Sequence, residues 1–197
     1  MKHKEIKDIL ISWVALSIAF MLLFNGITLF TLGNLAGISL NVLLTFLFLV
    51  AVSFLSHEFG HRQVARRYGF QANYEMWPVG VILAVFSSLF GFLIAAPGAV
   101  VIRHGGAFLA SRKKLNDISL KISISGIAVN LALGILFAVA SFFAFPDMFR
   151  LAASINFWLA FFNLLPIAPL DGSKVLYYSK KVWAIFFALS IILFFLV

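Results

Sequence analysis

Cysteine is absent from this chain of 197 residues, and acidic residues are scarce, with 7 aspartates and glutamates against 15 lysines and arginines. Without cysteine there can be no disulfide bond and no thiolate ligand, so a bound metal ion would need histidine and carboxylate ligands. Only 11% of the residues are charged, whereas 63% are hydrophobic. A soluble domain of this size could not cover so much apolar surface, which predicts a protein that lies mainly in a lipid bilayer.

The excess of basic residues gives a net charge of +8. In a soluble protein this charge would suggest nucleic-acid binding, but the sequence has no polar face rich in aromatic residues on which bases could stack. Lysine and arginine also mark the cytoplasmic loops of membrane proteins. We therefore expect the lipid bilayer, and no nucleic acid, as a partner.

Apolar runs predict an all-α polytopic membrane protein with five transmembrane helices. The N-terminal run is too long for the core of a signal peptide and is interpreted as a retained first helix. We expect one membrane-embedded domain over residues 1–197, in the cell membrane, with a cytoplasmic N-terminus. The five runs lie at about residues 9–32, 39–61, 122–145, 151–170 and 182–197.

The apolar segment at about 79–102 has two interpretations. As a sixth transmembrane helix it would leave 7 basic residues inside and 8 outside, which is no bias. As a re-entrant segment it leaves 14 of 15 basic residues inside, with only Arg150 outside, as the positive-inside rule favours. Pro97-Gly98 interrupts a helix, and the following residues 99–102 are β-branched enough to predict a strand. We therefore prefer the re-entrant interpretation.

The strongest chemical signal is the pentad His57-Glu58-Phe59-Gly60-His61, at the end of the second apolar run. Histidines four residues apart lie on one helical face, so both imidazoles can reach one metal ion. The glutamate between them is the residue type that activates water in zinc hydrolases. The pattern suggests peptide hydrolysis within or beside a membrane, although an interfacial helix end that collects polar residues would look similar.

A catalytic zinc site usually has three protein ligands. Asp171 is the preferred third ligand, because the re-entrant topology brings it to the membrane side of the pentad, while the six-helix topology does not. Pro166 and Pro169 before it break the helix, and Gly172 after it permits a tight turn, which also favours Asp171. A residue of a helix-ending turn is the alternative. The other candidates are weaker, since they lie in polar loops or in the N-terminal tail: His3, Glu75, His104, Asp117 and Asp147.

Three sequence blocks stand out: the pentad with Val64-Ala65-Arg66-Arg67-Tyr68-Gly69, the segment Asn163-Leu164-Leu165-Pro166-Ile167-Ala168-Pro169-Leu170-Asp171-Gly172, and Ser125-Gly126-Ile127-Ala128-Val129-Asn130. They resemble signatures of the site-2 protease family, whose members are intramembrane zinc metalloproteases. The resemblance covers about residues 40–178, which would form the catalytic core. Where the family usually has proline in the third block, this chain has Ile127, which affects the expected helix kink and not the metal site.

The resemblance implies that His57, His61 and Asp171 bind one Zn²⁺ ion and that Glu58 is the catalytic base. It also implies that Asn130 and Asn163 lie near the site, where they would hold substrate or polarise its carbonyl. Ordinary hydrogen bonding between helices is the alternative for both asparagines.

The expected substrates are transmembrane proteins or peptides, cleaved near the cytoplasmic interface. A transmembrane helix must unwind before a nucleophile can reach its peptide bonds, and the predicted strand at 99–102 could pair with the unwound stretch. Two other functions compete with this one. The chain could be a catalytically silent protein that binds membrane proteins, or a metal transporter, for which polar residues at mid-membrane in several spans would be expected.

Overall fold

The computed structural model describes residues 3–103 and 112–196, which are mostly helical. His104, one of the weaker ligand candidates, lies outside these residues. The described helices are α1 (His3–Phe24), a 3₁₀ turn (Leu32–Gly37), α2 (Leu40–Val50), a π-helical segment (Ala51–Leu55), α3 (Ser56–Arg67), α4 (Pro78–Ser88), α5 (Arg112–Ala140), α6 (Pro146–Asn163), α7 (Asp171–Tyr178) and α8 (Lys180–Leu196). The strands β1 (Gln71–Met76) and β2 (Gly98–Arg103) pair in a two-stranded sheet.

Among the described residues, three helices are long and apolar enough to cross a membrane: α1, the continuous helix Leu40–Arg67 and α5. The prediction of five spans is therefore only partly met. The fourth predicted span, 151–170, fails at its end, because α6 stops at Asn163 ahead of Pro166 and Pro169. The last helix, α8, has 17 residues. α5 continues unbroken through Ile127, where the family's proline is missing.

The segment at 79–102 is not one helix. α4 has 11 residues, which span about 16 Å at 1.5 Å per residue and cannot cross a hydrocarbon core of about 30 Å. The chain then runs without regular structure to β2. The strand predicted at 99–102 is confirmed, within Gly98–Arg103. Its partner β1 was not predicted, and it contains Glu75, which was expected in a loop.

The described residues divide into two compact units. The first comprises residues 3–55 and 74–99, in which α1 packs against α2 and α4. Leu16 and Phe20 of α1 are fully buried there, and the hydroxyl of buried Tyr74 donates to Ser12 Oγ at 2.9 Å. Two carboxylates of α1 accept hydrogen bonds from β1: Glu5 Oε1 from the Tyr74 amide at 3.0 Å and Asp8 Oδ2 from the Met76 amide at 3.3 Å.

The second unit comprises residues 56–73, 100–103 and 112–196. Here α5 packs against α3, α6 and α7, and α8 packs against α6 and α7. One buried cluster of this unit is formed by side chains of α5, α6 and α7 and of the residue that follows α6: Ile127, Leu131, Ala153, Phe157, Ala160, Leu164 and Val175. Small residues permit close packing, since a Cβ on Gly134 would overlap the Phe157 ring. All three predicted metal ligands belong to this unit.

Candidate metal centre

The predicted proximity of Asp171 to the two histidines is observed. His57 and His61 lie one turn apart on α3, and Asp171 lies in the first turn of α7, more than one hundred residues later in the chain. His61 Nε2 is 2.8 Å from Asp171 Oδ2, and His57 Nε2 is 3.5 Å from the same oxygen. The two Nε2 atoms are 3.0 Å apart. Both histidines are buried, and only 5% of the surface of each residue is exposed to solvent.

The hydrogen bonds of the imidazoles determine which nitrogen faces the centre. His61 Nδ1 is 2.7 Å from the Ile122 carbonyl oxygen, which can only accept, so His61 carries its proton on Nδ1. His57 Nδ1 lies 2.5 Å from Asn130 Oδ1 and likewise donates. In the neutral rings both Nε2 atoms therefore present lone pairs to each other and to a carboxylate oxygen. Three acceptor atoms this close repel one another unless a cation lies between them.

The distances among the two Nε2 atoms and Asp171 Oδ2 fit coordination of one small ion. Two ligands at about 2.0–2.1 Å from a tetrahedral Zn²⁺ lie about 3.3 Å apart. The three observed separations, 2.8, 3.0 and 3.5 Å, bracket that value. Histidine nitrogen and carboxylate oxygen are also ligands that zinc accepts. His57, His61 and Asp171 therefore form a group that could hold a metal ion, with ligand atoms all within 4.8 Å of one another.

Asp171 is oriented by the residue one turn later. Lys174 Nζ donates to Asp171 Oδ1 at 2.9 Å, which leaves Oδ2 for the imidazoles. Burial by itself would raise the pKa of the Asp171 carboxyl, but the charge of His61 when that ring is protonated, hydrogen bonds from His57 and His61, and the charge of Lys174 hold that pKa well below its usual range. The carboxyl is thus kept ionised, as a metal ligand must be.

Gly172 has a different role from the one expected. The sequence suggested that it permits a tight turn, but it lies inside the first turn of α7. A Cβ at this position would overlap the backbone carbonyl of Leu164. Glycine therefore allows the start of α7 to approach the end of α6, and this approach brings Asp171 to α3.

Two glycines allow α3 and α5 to approach closely around the histidines. A Cβ on Gly126 of α5 would overlap the imidazole of His61. A Cβ on Gly60 of α3 would lie 3.1 Å from Val129 Cγ2 and 3.2 Å from the Ser125 carbonyl. Hydrogen is the only substituent that fits at Gly126, so this glycine of the third sequence block determines where the His61 ring can lie.

Glu58 offers an oxygen with no partner. Its Oε2 atom is buried and has no hydrogen-bond partner in the described part of the chain. A buried carboxylate oxygen without a partner is costly and requires an explanation, such as a catalytic role or a bound water or ion. Because Glu58 follows the first ligand directly, the residues fit a metal site with an adjacent base.

The two asparagines predicted near the site differ in their contacts. Asn130 touches His57, on the ring nitrogen that points away from the other ligands. Asn163 donates to the Leu159 carbonyl of its own helix at 2.9 Å, so its substrate role stays a prediction. The acidic alternatives do not belong to the ligand group: Asp117 forms an exposed pair with Lys121 on α5, and Asp147 begins α6. Both lie on helices and not in the loops expected for them.

Two partners of the ligands and one partner of Asn130 were not predicted. Lys174 follows Asp171 by three residues, a spacing that could have suggested an ion pair on one helix. The Ile122 carbonyl is a backbone group and leaves no signal in the sequence. Asn156, whose side-chain Oδ1 accepts from Asn130 Nδ2 at 2.9 Å, lies outside the three sequence blocks.

Similarity to a curated protein shows the family to which this chain belongs. The chain is 34% identical over 189 residues, which cover 93% of this chain and 88% of the relative, to the protein named "Putative zinc metalloprotease MJ0611" of Methanocaldococcus jannaschii. No protein-family model matches the chain. No solved structure matches it either.

Proposed function

The chain belongs to the same family as the protein named "Putative zinc metalloprotease MJ0611", and on that premise we propose that it is an intramembrane zinc metallopeptidase of the site-2 protease type. The observation that carries the proposal is the convergence of His57, His61 and Asp171 beside Glu58. A scaffold protein would have no need of a buried carboxylate with a free oxygen next to such a group.

The intramembrane setting is supported by the helix that carries the pentad. Leu40–Arg67 is 28 residues long and apolar enough to span a bilayer. Leu40, Leu44 and Phe48 lie at a spacing of four residues along it and are exposed, which suits contact with lipid. The histidines follow this stripe toward the C-terminal end of the helix, so the reaction would occur near one membrane interface.

For the topology we propose a cytoplasmic N-terminus, a re-entrant segment at about 79–102 and five crossings in the cell membrane. The short α4 and the irregular chain before β2 support re-entry. The positive-inside rule supports it as well, with 14 of 15 basic residues inside. In this topology α6 and α8 complete the five crossings, and the candidate centre opens toward the cytoplasm.

The reaction divides between the metal and this chain's own groups. Zinc, when bound, supplies Lewis acidity that acidifies water and polarises a carbonyl. The residues that would hold it are His57, His61 and Asp171. Glu58 takes a proton from the attacking water and later returns it to the leaving amine, as a general base and then a general acid. Lys174 holds the second oxygen of Asp171 throughout.

The substrates we propose are transmembrane proteins or peptides that present an unwound stretch to the site. The sheet offers one edge for such a stretch. β1 pairs with β2 on one side, and its Tyr74 and Met76 amides bond to the α1 carboxylates on the other. Only β2 retains an outer edge in the described sheet. An extended peptide could add to it by main-chain hydrogen bonds.

Substitution of Glu58 tests the function. We expect Glu58→Gln to lower cleavage of a transmembrane model substrate in proteoliposomes by at least about 10²–10⁴-fold, because the base is lost. Zinc content, measured by metal analysis of the purified protein, should stay at one ion per chain because no ligand changes. Asp171→Asn should lower both zinc content and cleavage.

The two alternative functions give different results in the same preparation. A silent binding protein would retain substrate without cleaving it, and Glu58→Gln would leave its behaviour unchanged. A metal transporter would carry zinc into sealed vesicles, whereas the peptidase holds zinc without flux. Cleavage equal to wild type in Glu58→Gln contradicts the proposed chemistry.

A further inference from the structure

A chain of buried amides leads away from His57. Asn130 on α5 accepts from His57 Nδ1 and donates through Nδ2 to Asn156 Oδ1 on α6, at 2.9 Å. Asn156 Nδ2 in turn donates to the Ala152 carbonyl at 2.8 Å. Both asparagine side chains are fully buried, with 0% exposed. The chain therefore connects His57 to the backbone of α6 without contact with bulk water.

The Ala152 carbonyl determines the direction of every bond in this chain. A carbonyl oxygen only accepts, so the nitrogen of the Asn156 amide must face it. The Asn156 oxygen is then turned to Asn130 and requires the Asn130 nitrogen there. This leaves the Asn130 oxygen for His57. Because an amide oxygen can only accept a hydrogen bond, His57 Nδ1 must carry the proton and donate. The His57 Nε2 lone pair is thereby fixed toward the candidate metal centre.

From this arrangement we propose that Asn156 is a positioning residue for the metal centre: it fixes the Asn130 amide, and through it the tautomer and ring orientation of His57. The inference rests on the proposed zinc site. Asn156 does not contact the ligand atoms themselves, and it lies outside all three sequence blocks. An outer partner of this kind typically changes metal affinity by about 10–100-fold when it is removed.

His61 provides an internal control. Its Nδ1 donates directly to the Ile122 carbonyl at 2.7 Å, with Ser125 Oγ as a longer contact at 3.5 Å, so its tautomer does not depend on the buried amides. Loss of Asn156 should therefore disturb one imidazole and leave the other unchanged. General damage to the fold would disturb both.

Zinc affinity is the first measurement. The full chain, purified in detergent, is titrated with zinc against a chelator of known affinity. We expect Asn156→Leu, which has similar volume but no amide, to bind zinc about 10–100-fold more weakly than wild type. The control is Ser190→Ala on α8. Ser190 is also fully buried, and its hydroxyl donates to the backbone carbonyl of Phe187 at 2.8 Å, so this variant likewise removes one buried hydrogen bond. Its zinc affinity should equal that of wild type.

Nuclear magnetic resonance of the zinc-loaded protein with ¹⁵N-labelled histidine is the second measurement. The Nδ1 protons of both ligands are held in hydrogen bonds, and each should give a downfield signal. In Asn156→Leu we expect the His57 signal to shift or broaden and the His61 signal to stay. Movement of both signals together would overturn the proposal.

A second substitution separates orientation from simple stability. A carboxylate accepts through either oxygen, so Asn130→Asp makes the His57 partner independent of Asn156. Adding Asn156→Leu to Asn130→Asp should then cause no further loss of zinc affinity, which is non-additive behaviour. An equal loss in both backgrounds would overturn the proposed role. If Asn156→Leu alone is too unstable to purify, the double variant is compared with Asn130→Asp, and a further loss of about 10-fold or more there overturns the role.

The outcomes also distinguish this inference from the proposed function. If wild type binds no stoichiometric zinc, the metal centre itself is wrong, and the inference falls with it. If wild type binds zinc and Asn156→Leu binds it within about twofold, well short of the loss expected for an outer partner, the peptidase proposal stands and the role of Asn156 is wrong.

Discussion

At the scale of single residues, each candidate ligand is oriented by a different kind of partner. His57 has a side-chain amide, His61 a backbone carbonyl and Asp171 the ammonium group of Lys174. Such partners fix the direction of the lone pairs before a metal binds. The ligand atoms are thus held close together although they repel one another, and a cation relieves that repulsion.

Gly126 provides a prediction at this scale. Gly126→Ala places a methyl group where the His61 ring lies, so the ring must leave the position in which its Nε2 faces the candidate centre. We expect a loss of about 1–3 kcal/mol of stability from overpacking, together with weaker zinc binding. Thermal unfolding and chelator competition measure the two effects. Gly33→Ala is the matched control, because no atom lies within 4 Å of its added Cβ. Wild-type zinc affinity in Gly126→Ala would contradict the close packing described here.

At the scale of elements, the two-stranded sheet is asymmetric. Glu5 and Asp8 are almost completely buried where they accept from alternate amides of β1. They take the place of a third strand and satisfy donors that would otherwise be open to pairing. Under the proposed function, an extended substrate would therefore pair with β2.

Proline substitutions in β2 test whether a substrate pairs with the outer edge of this strand. Successive residues of a strand point their amides to opposite sides, so one of Val100→Pro and Val101→Pro removes a bond to β1 and the other an outward donor. We expect the variant that loses the outward donor to cleave membrane substrates at least about tenfold more slowly, corresponding to about 1.4 kcal/mol, a typical net hydrogen-bond contribution. Its thermal stability and zinc content should match those of wild type. Unchanged cleavage in both variants would exclude substrate pairing at β2.

At the scale of the whole molecule, the proposed topology assigns each loop to one side of the membrane. The absence of cysteine makes the chain suited to single-cysteine labelling, because wild type has no thiol background. Four exposed positions report on four loops: Asn34, Tyr68, Asp147 and Tyr177.

With five crossings, an impermeant thiol reagent added to intact cells should label Asn34→Cys and Asp147→Cys. Tyr68→Cys and Tyr177→Cys should react only after permeabilisation. In the six-helix alternative Asp147→Cys and Tyr177→Cys exchange behaviour while the first two stay the same, so Asn34→Cys and Tyr68→Cys act as controls. Labelling of Tyr177→Cys in intact cells would contradict a cytoplasmic centre.

The local features of this protein could be predicted from the sequence. His57 and His61 share a helical face because their spacing of four residues nearly equals one turn. Pro97-Gly98 marks the break before a strand, and the strand is present. Helix ends were predicted less well: the first run, 9–32, is a helix at His3–Phe24, because polar residues at the N-terminus join the helix while Asn25-Gly26 ends it.

The sequence by itself determined the chemistry available to this chain: without cysteine, and with one pentad on an apolar helix, the ligands are imidazole and carboxylate groups near a membrane. Only the tertiary structure decided which carboxylate meets the imidazoles and what orients each of them. Asp171 reaches His61 through the close approach that Gly172 permits, and His57 is oriented by amides on two other helices. Contacts of this kind join residues far apart in the chain through packing, and packing leaves no periodic pattern in a single sequence.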